Sequence, residues 1–212
     1  MRAGWDLSAY LVLDPVLCAS VGMVATAQKA VAGGVGIIQL RHKTASTAER
    51  IATGRALQAA LAGTGAKLVI NDDMEAAVAL AADGLHVGQG DTGAAAARAR
   101  IGPDMVLGVS VETEAHVRAV DPAVVDLVGA GPVFGTPTKP DHARPIGIGG
   151  LARMVALCPV PAVAIGGLSA RHATAVIGAG AAGLAVVSAI CGQPDPEVAA
   201  RELVAAVREA RA

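Results

Sequence analysis

Polar residues able to hold phosphate or a metal recur along this chain, each time just after a short apolar run. Gln39, Arg41 and Lys43 alternate, so a backbone that stays extended points an amide and two cations to one side. Two cations on an inward face are costly without an anionic partner, which reads as an anion site. A salt-bridged structural cluster is the competing reading. Asn71-Asp72 follows the run ending at Ile70, and Asp91 closes Gly88-Gln-Gly. Two carboxylates with few other ligands suit Mg²⁺, which keeps several waters and takes phosphate oxygens from a substrate. Helix N-capping competes for Asp72 or Asp73, and for Asp91.

The segment Gly129-Ala-Gly-Pro-Val-Phe-Gly-Thr-Pro-Thr-Lys139 follows the run Val124–Val128. It supplies backbone N–H groups, the hydroxyls of Thr136 and Thr138 and the Lys139 ammonium, which are the parts of a phosphate site. An ordinary Gly/Pro-rich turn is the alternative. Ser110, Gly166-Gly167 and Ser188 end three further runs, and glycines let backbone N–H groups approach an anion closely. His86 alternates with apolar neighbours and reads as an orienting histidine rather than a base. His42, His116, His142 and His172 read as surface or loop residues. No nucleophile sits beside a base, so metal-assisted departure of a diphosphate fits better than covalent catalysis.

These residues need a scaffold that brings separated strand ends together. Predicted strands cover Tyr10–Leu13, Gly36–Arg41, Lys67–Ile70, Gly84–Val87, Met105–Val109, Val124–Val128, Ala162–Ile165 and Gly183–Val187. Predicted helices alternate with them: Val24–Ala32, a segment capped by Ser46 or Thr47 and ending near Ala62, Met74–Ala82, Ala94–Arg100, Glu112–Val120, Gly147–Leu157, Ser169–Ile177 and Pro194–Arg211. Strand–helix alternation with short connections implies a parallel sheet with right-handed crossovers. About eight units favour a closed (β/α)₈ barrel, with an open doubly wound sheet as runner-up. No linker or composition break divides residues 1–212, so the expectation is an α/β, single-domain TIM barrel. Its active site would lie where the strands end.

Composition narrows the function. The net charge of −1 offers no basic stripe for nucleic acid. Aromatic content of 1% leaves almost no stacking platform for bases. Cys18, Cys158 and Cys191 are odd in number and widely spaced, against a disulfide framework or zinc site and for a reducing, cytoplasmic setting. The uncharged stretch Ala173–Gln193 is long enough to span a membrane, but its glycines favour a helix end, a turn and a buried strand. The expected partners are small-molecule substrates, with a homo-oligomer left open and neither nucleic acid nor membrane.

Gln39-Leu-Arg-His-Lys43, Ile70-Asn-Asp72, Asp83-Gly-Leu-His-Val-Gly-Gln-Gly-Asp91, Gly108-Val-Ser110, Gly131-Pro-Val-Phe-Gly-Thr-Pro-Thr-Lys139 and Ala164-Ile-Gly-Gly167 together resemble the thiamine phosphate synthase family. The resemblance spans nearly the whole chain. It implies a Mg²⁺-dependent transferase that joins a hydroxymethylpyrimidine diphosphate to a thiazole phosphate through a pyrimidine carbocation. By resemblance, Gln39, Leu40, Arg41, His42, Lys43, Asn71, Ser110 and Lys139 hold the pyrimidine diphosphate. Arg41, Lys43, Ser110 and Lys139 are the catalytic group, and Asp72 and Asp91 hold the metal. Thr136, Pro137, Thr138, Gly167, Val187 and Ser188 hold the thiazole phosphate. Two positions depart from the pattern: His42 and Gly90 stand where acids are more usual. Related thiazole tautomerases use a histidine in the loop after the sixth strand. Here Gly131-Pro132 occupies that place, which favours the synthase over the tautomerase. A barrel that binds phosphorylated ligands without turnover is the remaining alternative.

Overall fold

The computed structural model describes residues 4–88, 90, 93–138 and 143–212. Eight parallel strands close into a barrel: β1 (Ala9–Leu13), β2 (Ile37–Leu40), β3 (Lys67–Asn71), β4 (Gly84–Val87), β5 (Val106–Val111), β6 (Leu127–Ala130), β7 (Ala162–Ile165) and β8 (Gly183–Val186). Pairing of β8 with β1 through Leu11 and Val186 completes the ring and rules out the open sheet. Helices α1 (Met23–Ala32), α2 (Thr47–Leu61), α3 (Met74–Leu80), α4 (Ala94–Ile101), α5 (Glu114–Arg118), α6 (Gly147–Leu157), α7 (Ala173–Gly178) and α8 (Pro196–Glu209) alternate with the strands. The stretch Ala173–Gln193 divides between α7 and β8, and among the described residues no helix is long and apolar enough to cross a membrane.

Alternation along each strand creates two cores. Leu11, Leu13, Ile38, Leu40, Ile70 and Leu107 face outward, where they pack under the helices. The helices meet them with alanines such as Ala27, Ala76, Ala97 and Ala200, whose small side chains let helix and sheet approach closely. Tyr10, Val12, Ile37, Val69, Leu127 and Val163 face inward and fill the lumen. At the N-terminal end of the strands, Trp5 packs against this inner cluster.

Local chemistry sets the helix starts. Ser46 and Glu49 form a reciprocal capping box at α2, with Ser46 N–H donating to Glu49 Oε2 at 2.7 Å. Asp73 caps α3 by accepting from Ala76 N–H at 2.9 Å, and Arg50 on α2 donates to its other oxygen at 2.8 Å. Cys18 and Cys191, after β1 and β8, are buried side by side as free thiols. Their hydrogen bond pulls the Cys18 thiol down to about 7, and the same contact with burial pushes Cys191 up.

Among the strand boundaries that differ from expectation, those of β5 and β6 move site residues. The apolar run Val124–Val128 suggested a strand over its whole length. Instead β6 begins at Leu127, because Asp126 within the run is a buried anchor. Its carboxylate accepts from Arg98 Nη2 at 2.5 Å and from Leu107 N–H at 2.9 Å. Gly129-Ala130 therefore belong to β6, and the loop opens only at Gly131. In turn β5 runs to Val111, which puts Ser110 inside the strand, paired with Gly129. Helix α5 starts after its Thr113 cap, not at Glu112.

Arg98 also donates to the carbonyls of Val124, Gly102 and Met105, so one side chain ties α4 to the approaches of β5 and β6. Replacing Arg98 with Ala leaves the Asp126 carboxylate buried without its main cation. The expected cost is about 3–5 kcal/mol, which lowers Tm on the order of 10 °C. Thermal denaturation of Arg98→Ala checks this; a shift within 2 °C of wild type, on the order of 0.5 kcal/mol, would remove the anchor role.

Candidate active site

A cavity of about 420 Å³ opens at the C-terminal ends of the strands. Gln39, Arg41 and Lys43 all line it, even though β2 ends at Leu40, so the alternation persists beyond the hydrogen-bonded strand. Gln39 is buried and its Nε2 donates to Tyr10 Oη at 2.7 Å. Burial pushes the Tyr10 phenol well above its ordinary range, so it stays neutral. Arg41 lies 3.9 Å from Asp14, whose other oxygen takes the Val16 and Leu17 N–H groups. Lys43 lies 3.9 Å from Asp72.

The two readings of Asp72 and Asp73 separate cleanly. Asp73 is the helix cap. Asp72 takes a left-handed conformation, φ 63°, while its N–H continues the sheet by donating to His86 O at 2.9 Å. Asp tolerates this backbone region better than most residues. The kink frees Asp72 from capping, and it lines the cavity beside Asn71.

The next wall comes from β4, β5 and β6. His86 Nε2 is 3.0 Å from Ser110 Oγ. The ring has room because two inward positions are glycines: a Cβ at Gly108 would lie 2.6 Å from His86 Nδ1, and one at Gly129 would lie 3.2 Å from Cε1. Gly88, Gly90 and Glu112 also line the cavity.

The last wall comes from β6, β7 and β8. Thr136 and Thr138 line the cavity, with hydroxyls 2.8 Å apart. Gly166 and Gly167 follow β7 with φ 102° and 62°, conformations that favour glycine and leave backbone facing the cavity. Val187 and Ser188 follow β8 on the same wall.

Eleven of the expected residues therefore share one cavity: Gln39, Arg41, Lys43, Asn71, Asp72, Ser110, Thr136, Thr138, Gly167, Val187 and Ser188. Leu40, His42 and Pro137 are not among its walls. Each lies between lining residues, and alternation turns it away. Leu40 is packed in the outer core, and the His42 carbonyl accepts from Arg50 Nε at 3.0 Å. Asp91, Lys139 and His142 lie outside the described residues. Tyr10 and Glu112 were not expected. Glu112 stands two residues beyond Ser110, the spacing that identified Arg41 and Lys43. It was assigned to a helix, and the extension of β5 to Val111 corrects that.

Residues 9–190 match a family model described as thiamine monophosphate synthase. The chain belongs to the thiamine monophosphate synthase family. It is 48% identical over 211 residues to the thiamine-phosphate synthase of Xanthobacter autotrophicus, covering 100% of both chains. It is 44% identical over 206 residues to that of Laribacter hongkongensis, covering 97% of each. Among solved structures, the thiamine phosphate pyrophosphorylase from Pyrococcus furiosus superimposes with a TM-score of 0.89 at 32% identity over 98% of both chains. A 3-hexulose-6-phosphate synthase with a TM-score of 0.70 and 22% identity shares the fold.

Within this family member, the His86–Ser110 pair depends on empty space at Gly108. In Gly108→Ala the new methyl forces the imidazole to turn or the strand to shift. Stability should fall by about 1–3 kcal/mol, the range for overpacking a core. The His86 ring resonances, followed by NMR, should move as its contact with Ser110 is lost. Unchanged ring resonances would show that the pair does not need the glycine.

Proposed function

We propose that this chain joins a hydroxymethylpyrimidine diphosphate to a thiazole phosphate, forming thiamine phosphate and releasing diphosphate. The observation that supports it most is the division of the cavity. Arg41, Lys43 and Asp72 come from the β2 and β3 ends, while Gly167, Ser188, Thr136 and Thr138 come from β6 to β8, across the ring. One wall supplies cations for a leaving diphosphate. The other supplies backbone N–H groups and hydroxyls for a monophosphate. Between them, Gln39, Ser110 and His86 offer hydrogen bonds to a heteroaromatic ring.

In this reading the C–O bond between the pyrimidine methylene and the diphosphate breaks first, and the electron pair leaves with the diphosphate. The thiazole nitrogen then donates its lone pair to the carbocation and forms the new C–N bond. Arg41, Lys43 and Lys139 stabilise charge that grows on the leaving group. Asp72 and Asp91 would hold Mg²⁺, which supplies further neutralisation of the diphosphate when bound. The Asp72 carboxylate, turned to the cavity beside Lys43, fits that role. Among the described residues no group of three or more His, Cys, Asp or Glu could hold a metal. Waters and substrate oxygens would then complete the shell, as Mg²⁺ prefers. Free thiols in the barrel fit a reducing cytoplasm.

The deciding assay combines both substrates with Mg²⁺ and follows thiamine phosphate by chromatography. No product under any metal condition would sink the reading. With the activity in hand, Asp91→Ala should abolish Mg²⁺-dependent turnover with the fold intact. Ser188→Ala should raise KM for the thiazole phosphate about ten- to a hundredfold, the worth of a hydrogen bond to a charged group. Equal effects on both substrates would undo the two-subsite assignment.

Lys139→Ala tests leaving-group stabilisation. A cation acting mainly in the transition state should cost on the order of a hundredfold in kcat when removed. An electron-withdrawing pyrimidine substituent should slow wild type and variant alike. A raised KM at unchanged kcat, with little substituent effect, would point instead to direct displacement by the thiazole nitrogen.

A further inference from the structure

The loops after β6 and β7 are built as one unit. Val133 N–H donates to Ile165 O at 2.8 Å, and Phe134 N–H donates to Gly166 O at 3.0 Å. A Cβ at Gly166 would lie 2.6 Å from Pro132 Cα, and one at Gly167 would lie 2.6 Å from Gly135 O. The two backbones thus touch directly at the glycines expected to meet a phosphate. Beyond these contacts the loop runs on through Thr136 to Thr138.

A side-chain contact joins the two loops beside these backbone bonds. The chain has one Phe, one Tyr and one Trp. Tyr10 and Trp5 belong to the lumen. The single Phe lies in this loop, with its ring centroid 4.9 Å from that of His172 and the planes tilted by 36°. His172 is itself held. Its Nδ1 accepts from Ser169 N–H at 3.0 Å and lies 3.3 Å from Ser169 Oγ, which fixes the ring over the turn that follows Gly167. Burial, with the neighbouring Arg171 cation, lowers the His172 pKa from the ordinary imidazole value, which favours the neutral ring with an accepting Nδ1.

We propose that His172 is a positioning residue, which through Phe134 fixes Thr136 and Thr138 relative to the Gly166-Gly167 backbone and so sets the width of the monophosphate subsite. The inference rests on the functional reading above. The links are short: Gly167 to Ser169 to His172 along the chain, His172 to Phe134 through the ring contact, and Phe134 to Thr136 along the chain. A phosphate held between a backbone N–H on one loop and a hydroxyl on the other needs both at hydrogen-bond distance together. A displacement of about 1 Å is enough to weaken such a site strongly.

The test is a double-mutant cycle on Phe134→Ala and His172→Ala, with His172→Gln as the conservative variant that keeps an acceptor for Ser169. Each alanine variant should raise KM for the thiazole phosphate about tenfold, with KM for the pyrimidine diphosphate within about twofold. The double variant should be no worse than either single, because both remove one contact. Calorimetric titration with the thiazole phosphate alone should show the same loss, and His172→Gln should recover part of it. Losses that add, equal effects on both substrates, or a lowered Tm with unchanged KM would overturn the proposal. Wild-type enzyme that forms no thiamine phosphate would instead overturn the functional reading.

Discussion

Space inside an eight-stranded barrel governs this molecule. The lumen of a closed eight-stranded sheet is wide enough for its own side chains and little more. Most inward positions are filled by apolar residues such as Val12, Ile37, Val69 and Val163. A polar ring can enter only where neighbours give way, and they give way at Gly108 on the neighbouring strand β5 and at Gly129 on β6 beyond it. His86 then reaches Ser110. On the other side Gln39 reaches the neutral phenol of Tyr10. These two pairs offset part of the cost of desolvating their polar groups.

The charged groups are arranged on a different principle. Arg98 and Asp126 meet at 2.5 Å, deep in the structure, and hold the frame. Arg41 with Asp14 and Lys43 with Asp72 stand at 3.9 Å, at the limit for an ion pair, around the cavity mouth. Long, partly solvated pairs contribute little to stability. They do keep cations near the cavity without committing them, so under the proposed reading a diphosphate would meet charge that is weakly engaged. The same pairs balance part of the positive charge at that wall.

Much of this was legible from residue order. Strand alternation placed Gln39, Arg41 and Lys43 on one face, and the structure keeps them there although β2 itself is shorter. The ends of β7 and β8 were read within a residue. What misled was local composition acting against tertiary context. Val124-Val125-Asp126-Leu127-Val128 looks like a buried strand, but Asp126 finds its partner on α4, a contact with no local signature. The resulting error in β5 hid Glu112. The Phe134–His172 contact was equally invisible, because two loops must dock before those rings meet. His172 therefore read as an ordinary surface histidine.

These observations divide the labour between strands and loops. Groups expected to meet the pyrimidine ring, Gln39 and Ser110, sit on strands whose register is set by barrel closure. Groups expected to meet phosphates, Thr136, Thr138, Gly167 and Ser188, sit on loops beyond the strand ends. In the proposed reaction a carbocation forms within reach of the thiazole nitrogen, so the ring that carries it would need the stiffest support. Phosphates are bound through several equivalent oxygens and tolerate small errors in direction, but not in spacing. Loops serve that purpose only if their separation is fixed. The backbone contacts at Gly166 and Gly167, together with the Phe134–His172 pair, hold the two loops against each other beside the cavity, which is the arrangement such a site would need.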